Sequence, residues 1–132
     1  MIATVLLLLV EDEPLILNMM QCVFEDAGYR IEVAVDGTSA MALIDAHIDE
    51  AAGLVTDVRL GSGPDGWEVA RHARHRKPDM PVLYMTGDSA ASWAAEGVPK
   101  SVLLMKPFAP AQAVTAISTL LNEVSSSPPS AL

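Results

Sequence analysis

Five short runs of apolar residues are spaced along the chain and separated by longer stretches in which polar residues are interspersed. The runs are apolar at nearly every position rather than at alternate positions, which is typical of strands buried on both faces of a parallel sheet. We therefore predict β-strands over residues 4–10, 29–35, 53–58, 80–85 and 101–105.

The stretches between these runs carry apolar residues at helical spacing. In the first stretch, Pro14 suits an initial helical turn and Gly28 suits the position just after a helix end. The residues between them form two adjoining apolar rows, Leu15, Met19 and Val23 in one and Ile16, Met20 and Phe24 in the other. The same spacing predicts helices over residues 38–46, 66–76 and 110–124, and a weaker, alanine-rich helix over residues 88–96.

Strand and helix thus alternate five times along 132 residues. Such alternation requires right-handed crossovers and places helices on both faces of one parallel sheet, so we predict an α/β fold with a doubly wound, five-stranded sheet. A hydrophobic content of 51% supports one domain with a substantial core. We place that domain at residues 1–124 and interpret the remaining "SSSPPSAL", residues 125–132, as a flexible tail.

The charge balance argues against a nucleic-acid-binding surface. The chain has 17 Asp and Glu residues against 8 Lys and Arg residues, a formal net charge of −9, whereas phosphate backbones are bound by basic stripes. The one basic run, "RHARHRK" at residues 71–77, ends a predicted helix, where cations complement the negative end of the helix dipole. His72 and His75 lie in this run without a further ligand, so we expect solvated surface histidines.

The sequence also argues against an exported or membrane-inserted protein. The first apolar run is far shorter than the roughly 20 residues needed to cross a bilayer. No Lys or Arg precedes Arg30, and acidic residues follow the run, so no signal peptide is indicated. We therefore expect a cytoplasmic protein. The single cysteine, Cys22, has apolar neighbours such as Met20 and Val23, which predicts a buried apolar thiol in a reducing compartment.

Charged and hydroxyl residues stand at the ends of the predicted strands. Glu11 and Asp12 follow the first strand, Asp57 lies at the end of the third, Thr86 follows the fourth and Lys106 follows the fifth. Taken one at a time, each is an ordinary capping, turn or surface residue. In a parallel sheet, however, the carboxyl ends of the strands form one edge, and ligands bind along that edge.

Three carboxylates gathered at one edge would repel one another, and a bound cation would relieve the repulsion. Mg²⁺ suits such a place because it takes oxygen ligands and typically combines one or two carboxylates with a substrate phosphate. Lys106 would add a positive charge for the phosphate, and Thr86 would add a hydroxyl donor. The sequence therefore predicts a phosphoryl-transfer site at this edge of the sheet.

The motifs that carry these residues occur in the order "LLVEDEP", "VTDV" with "DG" after it, "MTG" and "KPF". On these motifs, residues 4–124 resemble the receiver domain of a two-component response regulator. The resemblance implies a flavodoxin-like sheet with the strand order 2-1-3-4-5. It also implies a phosphoacceptor domain, which takes a phosphoryl group from a phosphohistidine in an Mg²⁺-dependent reaction and later loses that group to water.

The resemblance assigns metal-binding and acceptor roles to four residues. Asp57 matches the phosphoacceptor aspartate of the family, which also contacts the metal. Asp12 matches the principal acidic ligand of Mg²⁺ (or Mn²⁺), and Glu11 matches its acidic partner. Arg59 matches the residue whose backbone carbonyl is offered to the metal.

The resemblance also implies how the phosphoryl group is held and passed on. Thr86 and Lys106 match the hydroxyl and the lysine that contact it, and the peptide before Pro107 is typically cis in the family. A sensor histidine kinase or a histidine phosphotransfer protein would be the donor. An unknown output protein would receive the signal after a conformational change.

The chain departs from the family pattern in two places. Many receivers carry Tyr or Phe three residues before the lysine, where this chain has Leu103, so we expect the conformational change to run through residues 88–99 instead. The loop after Asp57 has Gly61 in place of the usual proline and is one residue longer than is common. We expect its glycines to let the backbone approach the metal and phosphate. These features resemble a subgroup with a Phe-Ala-Thr-Gly-type fourth strand, found as stand-alone regulators or attached to hybrid kinases.

Two other functions fit the same fold. A pseudo-receiver module, independent of phosphorylation, would act through protein contacts alone, but the intact Asp57 and Lys106 count against it. A flavin-binding domain would need hydroxyls and amides after the first strand, where this chain has "EDEP". Trp93, in the weak helix, is expected to be more exposed than Trp67, with partner contact and simple packing as equal alternatives for its role.

Overall fold

The structure of the protein is a computed structural model, in which residues 4–126 are described. Five strands alternate with five helices. In chain order the elements are β1 (Leu6–Val10), α1 (Pro14–Asp26), β2 (Arg30–Ala34), α2 (Gly37–His47), β3 (Ala51–Asp57), α3 (Gly66–Arg76), β4 (Val82–Thr86), α4 (Trp93–Glu96), β5 (Val102–Met105) and α5 (Pro110–Ser126). The strands pair in parallel in the order β2-β1-β3-β4-β5. This confirms the predicted doubly wound, flavodoxin-like α/β fold.

Side chains alternate between the two faces of the sheet and build a core on each. Leu6, Leu8 and Val10 of β1 pack with buried residues of α2 and α3, whereas Leu7 and Leu9 pack with those of α1 and α5. All five are buried. Since burial of one leucine side chain contributes roughly 1.5–3 kcal/mol, β1 is firmly fixed at the centre of the sheet. It therefore holds the acidic segment that follows it in a defined place.

Only one of the two apolar rows of α1 faces the core. Met20 and Phe24 are fully buried, whereas Leu15 is 85% exposed and Met19 is 43% exposed. Cys22 is exposed as well, so the prediction of a buried thiol is wrong. The reason is the rotation of the helix, because Cys22 lies seven residues after Leu15 and therefore on the same, outward side.

The basic residues at the end of α3 bond within the domain. Arg74 Nε donates to the Met80 carbonyl at 2.6 Å, and Lys77 Nζ donates to the Ala51 carbonyl at 2.6 Å. The run thus ties the end of α3 to its neighbours, and the last turn carries cations as predicted.

His72 in the same run is half-buried rather than solvated as predicted, because α3 packs against α2. Its Nε2 lies 2.8 Å from Asp45 Oδ1 of α2, and Arg76 pairs with the same carboxylate. His72 thus takes part in the contact between the two helices, whereas His75 is exposed.

The connection between β4 and β5 has little regular structure. It contains a 3₁₀ turn (Ala90–Ser92) and the single turn of α4, and neither includes a buried residue. The predicted weak helix over residues 88–96 is thus reduced to these two turns, since no apolar row faces the core. Trp93 is 38% exposed and Trp67 is 6% exposed, which confirms their predicted difference.

The last helix, α5, continues to Ser126 and so includes the first two residues of the predicted tail. The other residues of that tail, 127–132, lie outside the described part of the chain. Within residues 4–126, the helices are all too short or too polar to span a bilayer.

Candidate functional site

The side chains singled out at the strand ends converge at one edge of the sheet. Asp57 is the last residue of β3 and Thr86 is the last residue of β4. Asp12 is the second residue after β1, and Lys106 directly follows β5. They border an open cleft of about 460 Å³, which is lined by Asp12, Glu13, Asp57, Arg59, Thr86, Gly87, Asp88 and Lys106. The parallel sheet thus brings together residues from four distant parts of the chain.

Lys106 joins two carboxylates at the base of this cleft. Its Nζ donates to Glu11 Oε1 at 2.9 Å and to Asp57 Oδ2 at 3.0 Å. The other oxygen of Asp57, Oδ1, accepts a hydrogen bond of 2.8 Å from the backbone N–H of Val58. The Asp57 carboxylate is therefore held in orientation from both sides. The peptide between Lys106 and Pro107 is cis, as the resemblance implied.

Glu11 is entirely buried beside this pair. Burial raises the pKa of its carboxyl to about 7; the Lys106 hydrogen bond opposes this rise and the negative charge of Asp57 adds to it. Burial alone would lower the pKa of Lys106, but its hydrogen bonds to Glu11 and Asp57 outweigh that effect and raise it. The hydrogen bonds therefore favour the charged form of the lysine, while burial favours the neutral form of Glu11.

The carboxylates form a cluster that fits a divalent cation. Glu11, Asp12 and Asp57 each offer one carboxylate oxygen, and these oxygens all lie within 4.8 Å of one another. One ammonium group cannot balance three carboxylates, and the negative charge of Asp57 adds to the rise that burial causes in the pKa of Glu11. An all-oxygen set without histidine or cysteine suits Mg²⁺ or Mn²⁺ rather than zinc.

The hydroxyl of Thr86 lies at the cleft but is engaged with the chain that follows. Thr86 Oγ1 accepts hydrogen bonds from the backbone N–H groups of Asp88, at 3.3 Å, and Ser89, at 2.9 Å. Thr86 is 1% exposed, so this hydroxyl stands at the boundary between the cleft and the β4–β5 connection.

The loop after Asp57 turns back sharply at Gly66. The N–H of Gly66 donates to the Val58 carbonyl at 2.7 Å, and a Cβ on Gly66 would lie only 2.1 Å from the Asp57 carbonyl oxygen. A Cβ on Gly37, the first residue of α2, would similarly lie 2.0 Å from the Pro64 carbonyl oxygen. The loop therefore packs against α2 and the end of β3. Its glycines are not among the residues that line the cleft, and the expectation that they let the backbone approach a metal and a phosphate stays a prediction.

Position 103 carries no aromatic side chain, but the neighbouring strand β4 places an aromatic residue, Tyr84, beside it. Tyr84 pairs in register with Leu103, is fully buried and packs edge-on against Trp67 at a centroid distance of 4.7 Å. Its hydroxyl accepts a 3.1 Å hydrogen bond from the backbone N–H of Val98. Tyr84 thus anchors the far end of the β4–β5 connection, a role that sequence spacing did not indicate.

Arg59 has a second feature that the sequence analysis missed. Beyond the backbone role that the resemblance assigned, its guanidinium forms an ion pair with Asp88 on the neighbouring loop. The two residues are 29 positions apart and carry no motif, so only the sheet geometry reveals the contact.

Comparisons with known proteins agree with this geometry. A family model described as "Response regulator receiver domain" matches residues 7–118. The response regulator SaeR of Staphylococcus aureus is 28% identical over 125 residues, which cover 89% of this chain and 51% of SaeR. The chain thus spans about half the length of the curated relatives that it matches.

Solved structures share the fold closely. A response regulator receiver protein from Sinorhizobium medicae superposes with a TM-score of 0.87 at 41% identity, covering 90% of this chain and 95% of that protein. The receiver domain of the sensor histidine kinase PA1611 from Pseudomonas aeruginosa superposes with a TM-score of 0.77 at 22% identity, covering 91% of this chain and 99% of that domain. Because the family match over residues 7–118 includes the acidic cluster, Thr86 and Lys106, the chain belongs to the response regulator receiver domains of two-component systems.

Proposed function

We propose that this domain accepts a phosphoryl group on the side chain of Asp57, in a reaction that depends on Mg²⁺ or Mn²⁺. The observation that carries the proposal is the joint position of Asp57 and Lys106. One carboxylate oxygen of Asp57 is held 3.0 Å from the ammonium, at the base of an open cleft and within the cluster formed with Glu11 and Asp12. An exposed turn aspartate would have neither the fixed orientation nor the excess of negative charge.

The proposed reaction transfers a phosphoryl group from a histidine nitrogen. A carboxylate oxygen of Asp57 forms a bond to phosphorus while the P–N bond breaks, and the imidazole leaves with the bonding electrons and takes up a proton. Water later attacks the phosphorus, which regenerates the carboxylate and releases inorganic phosphate. Little covalent assistance is needed, so the residues around Asp57 act mainly by position and charge.

Glu11, Asp12 and Asp57 would hold the divalent cation, together with the backbone carbonyl of Arg59 that the family resemblance assigns. The structure of the PA1611 receiver domain is described as having a magnesium ion coordinated in the active-site cleft. The oxygen-only cluster in this chain fits the same ion. When bound, such a cation would neutralise charge on the transferring phosphoryl oxygens.

Lys106 and Thr86 would respond to the new phosphoryl group. Lys106 already contacts the Asp57 carboxylate and would add a charge-assisted hydrogen bond to the phosphoryl oxygens. Thr86 Oγ1 accepts from the N–H groups of Asp88 and Ser89, so a movement of this hydroxyl to donate to the same phosphoryl group would draw the start of the β4–β5 connection with it. The phosphorylated form would thereby favour a different arrangement of the β4–β5 connection, which an output protein can recognise.

The phosphoryl donor would be a sensor histidine kinase or a histidine phosphotransfer protein, acting in the cytoplasm. The exposed side of α1 offers a docking surface for it. Leu15 is 85% exposed, three residues after Asp12, which lines the cleft, and Met19 and Cys22 are exposed on the same helix. An exposed apolar patch beside a reaction site is typical of a protein-binding surface.

The proposal is tested by incubating the chain with acetyl phosphate and measuring its intact mass. We expect a gain of one phosphoryl group in the presence of Mg²⁺, and no gain when EDTA is present or when Asp57→Asn replaces the acceptor. A chain that gains no mass under conditions in which an established receiver domain does would instead be a phosphorylation-independent module.

A further inference from the structure

The ion pair between Arg59 and Asp88 connects the two loops that border the cleft. Arg59 Nε lies 3.0 Å from Asp88 Oδ1 and 2.7 Å from Asp88 Oδ2, so the guanidinium contacts both carboxylate oxygens. Both residues line the same cleft as Asp57. A cation therefore stands at the rim of the acceptor site with a carboxylate as its present partner.

Arg59 is placed to serve the acceptor residue two positions before it. The side chains of both Asp57 and Arg59 border the cleft, and the N–H of Val58 between them donates to the Met85 carbonyl at 3.0 Å, which ties this stretch to β4. The Arg59 side chain is 75% exposed, so it has room to move. Lys106, the other cation of the cleft, already serves Glu11 and Asp57.

A phosphoryl group on Asp57 would change the competition for the guanidinium. It would bring about two negative charges and three oxygen acceptors, two of which the planar fork of a guanidinium can bind at once. Asp88 offers one negative charge in an exposed ion pair, and such pairs are weak. The guanidinium would therefore bind the phosphoryl group in preference to the Asp88 carboxylate.

Asp88 in turn holds the start of the β4–β5 connection. The Ser89 hydroxyl donates to Asp88 Oδ1 at 2.8 Å, and the N–H groups of both residues are bonded to Thr86. From position 87 to position 97 no side chain is buried, and the first buried one is Val98, which is anchored by Tyr84. The connection is thus fixed at its two ends, and its first end is the one that Arg59 contacts.

We propose that phosphorylation transfers the Arg59 guanidinium from Asp88 to the phosphoryl group and thereby releases the first part of the β4–β5 connection. Arg59 is then a positioning residue for the phosphorylated state, and Asp88 is its partner in the unphosphorylated state. This inference rests on the proposed acceptor function of Asp57. In addition, Asp88 competes with the phosphoryl group for Arg59, and this competition links the charge on Asp57 to the position of residues 88–97.

The test uses beryllofluoride with Mg²⁺ as a mimic of the phosphoryl group, with its binding measured by fluorine NMR. The variants are Asp88→Asn, Arg59→Gln and the two combined. The matched control is Glu96→Gln, which removes another exposed ion pair of the same connection, with Arg71, away from the cleft. Amide hydrogen exchange of residues 88–97 is measured with and without the mimic.

In Asp88→Asn the mimic no longer competes with a carboxylate for the guanidinium, so Arg59 should bind the mimic more readily. We expect Asp88→Asn to raise the apparent affinity by about twofold to fivefold, the size expected for loss of one exposed ion pair. Arg59→Gln should lower the affinity, and adding Asp88→Asn to it should bring no further change. Exchange at residues 88–97 should rise when the wild type binds the mimic, and should already be raised in free Asp88→Asn.

Two results would overturn the inference while leaving the acceptor function intact. One is Asp57-dependent binding that Asp88→Asn changes no more than Glu96→Gln does. The other is a gain from Asp88→Asn that persists in the Arg59→Gln background. If the wild type binds no beryllofluoride, or binds it equally after Asp57→Asn, both the inference and the proposed function fail.

Discussion

Lys106 forms an ion pair with Glu11 across the ends of β5 and β1, with 2.9 Å between Nζ and Oε1, and the same ammonium bonds to Asp57. The two partners are 95 residues apart in the chain, and only the parallel sheet brings them together. The pair leaves Glu11 buried with an incompletely balanced charge, because one cation serves two carboxylates. Several consequences can be measured.

The stability of the metal-free domain should depend on the ionisation of Glu11. Its pKa is raised from the ordinary 4.5 to about 7 in the folded protein, so the folded state binds this proton more tightly than the unfolded state. The stabilisation is therefore complete below about pH 4.5 and is lost as the pH rises through 7. Over that interval we expect a loss of roughly 3 kcal/mol in the free energy of unfolding.

This dependence is checked by urea unfolding in EDTA at a series of pH values. Glu11→Gln is the reference, because it keeps the size of the side chain and cannot ionise. The difference between wild type and variant isolates Glu11 from the surface carboxyls, such as Asp45 and Glu50, whose pKa values are lowered by their hydrogen bonds to His72 and His47 and their pairing with arginines. Parallel curves for the two proteins would contradict the assigned ionisation.

Lys106→Met should slow phosphorylation of Asp57. The variant removes a charge-assisted hydrogen bond to the acceptor and its phosphoryl group, a loss of roughly 1.5–3 kcal/mol, which corresponds to about a 10- to 150-fold lower rate. The rate of phosphorylation is measured as the gain in intact mass over time with acetyl phosphate. Lys100→Met, at an exposed lysine that does not line the cleft, is the control and should leave the rate unchanged. Equal slowing by both variants would show that the effect is not local to the cleft.

Leu15→Ser should impair transfer from a protein donor but not from a small one. If the exposed side of α1 docks the phosphohistidine protein, loss of this apolar contact should lower kcat/KM for that donor by about tenfold. The rate with acetyl phosphate should stay the same, since Leu15 does not line the cleft. Val5→Ser is the matched control, because Val5 is 41% exposed and precedes β1 at the opposite edge of the sheet. An unchanged kcat/KM for every histidine donor that phosphorylates the wild type would remove α1 from the docking surface.

Tyr84→Phe should destabilise the domain and loosen the end of the β4–β5 connection. The variant leaves the buried N–H of Val98 without its acceptor, which costs about 1–3 kcal/mol. Tyr29→Phe is the comparison, because its hydroxyl contacts Ser118 in a partly exposed place where water can replace it. Urea unfolding gives the free energies, and hydrogen exchange at Val98 should accelerate only in Tyr84→Phe. A smaller loss for Tyr84→Phe than for Tyr29→Phe would be contrary to this account.

The sequence predicted the parts of the structure that follow from periodicity and from parallel pairing. The continuous apolar run of β1 predicted a strand buried on both faces, and Leu6–Val10 is buried at every position. Once the strands are parallel, the residues at their carboxyl ends must share one edge. For that reason Asp57 and Lys106 could be placed together before their contact was seen.

Features that depend on rotation and on contacts between loops were not predictable in this way. The apolar neighbours of Cys22 suggested burial, but the rotation of α1 turned this residue outward with Leu15. The pairing of Arg59 with Asp88 depends on how far two loops reach beyond the sheet, which no local pattern encodes. The hydrogen bond from Val98 to Tyr84 likewise depends on the path of a connection that lacks regular structure.

The most direct test of the central claim is to locate the phosphoryl group on the chain. The protein is incubated with Mg²⁺ and acetyl phosphate and reduced with borohydride, which converts an aspartyl phosphate to homoserine, and its peptides are then sequenced by mass spectrometry. The account predicts homoserine at position 57 alone, and none when EDTA is present. Homoserine at another aspartate, or an unmodified position 57 in a chain that has gained the phosphoryl mass, would contradict it.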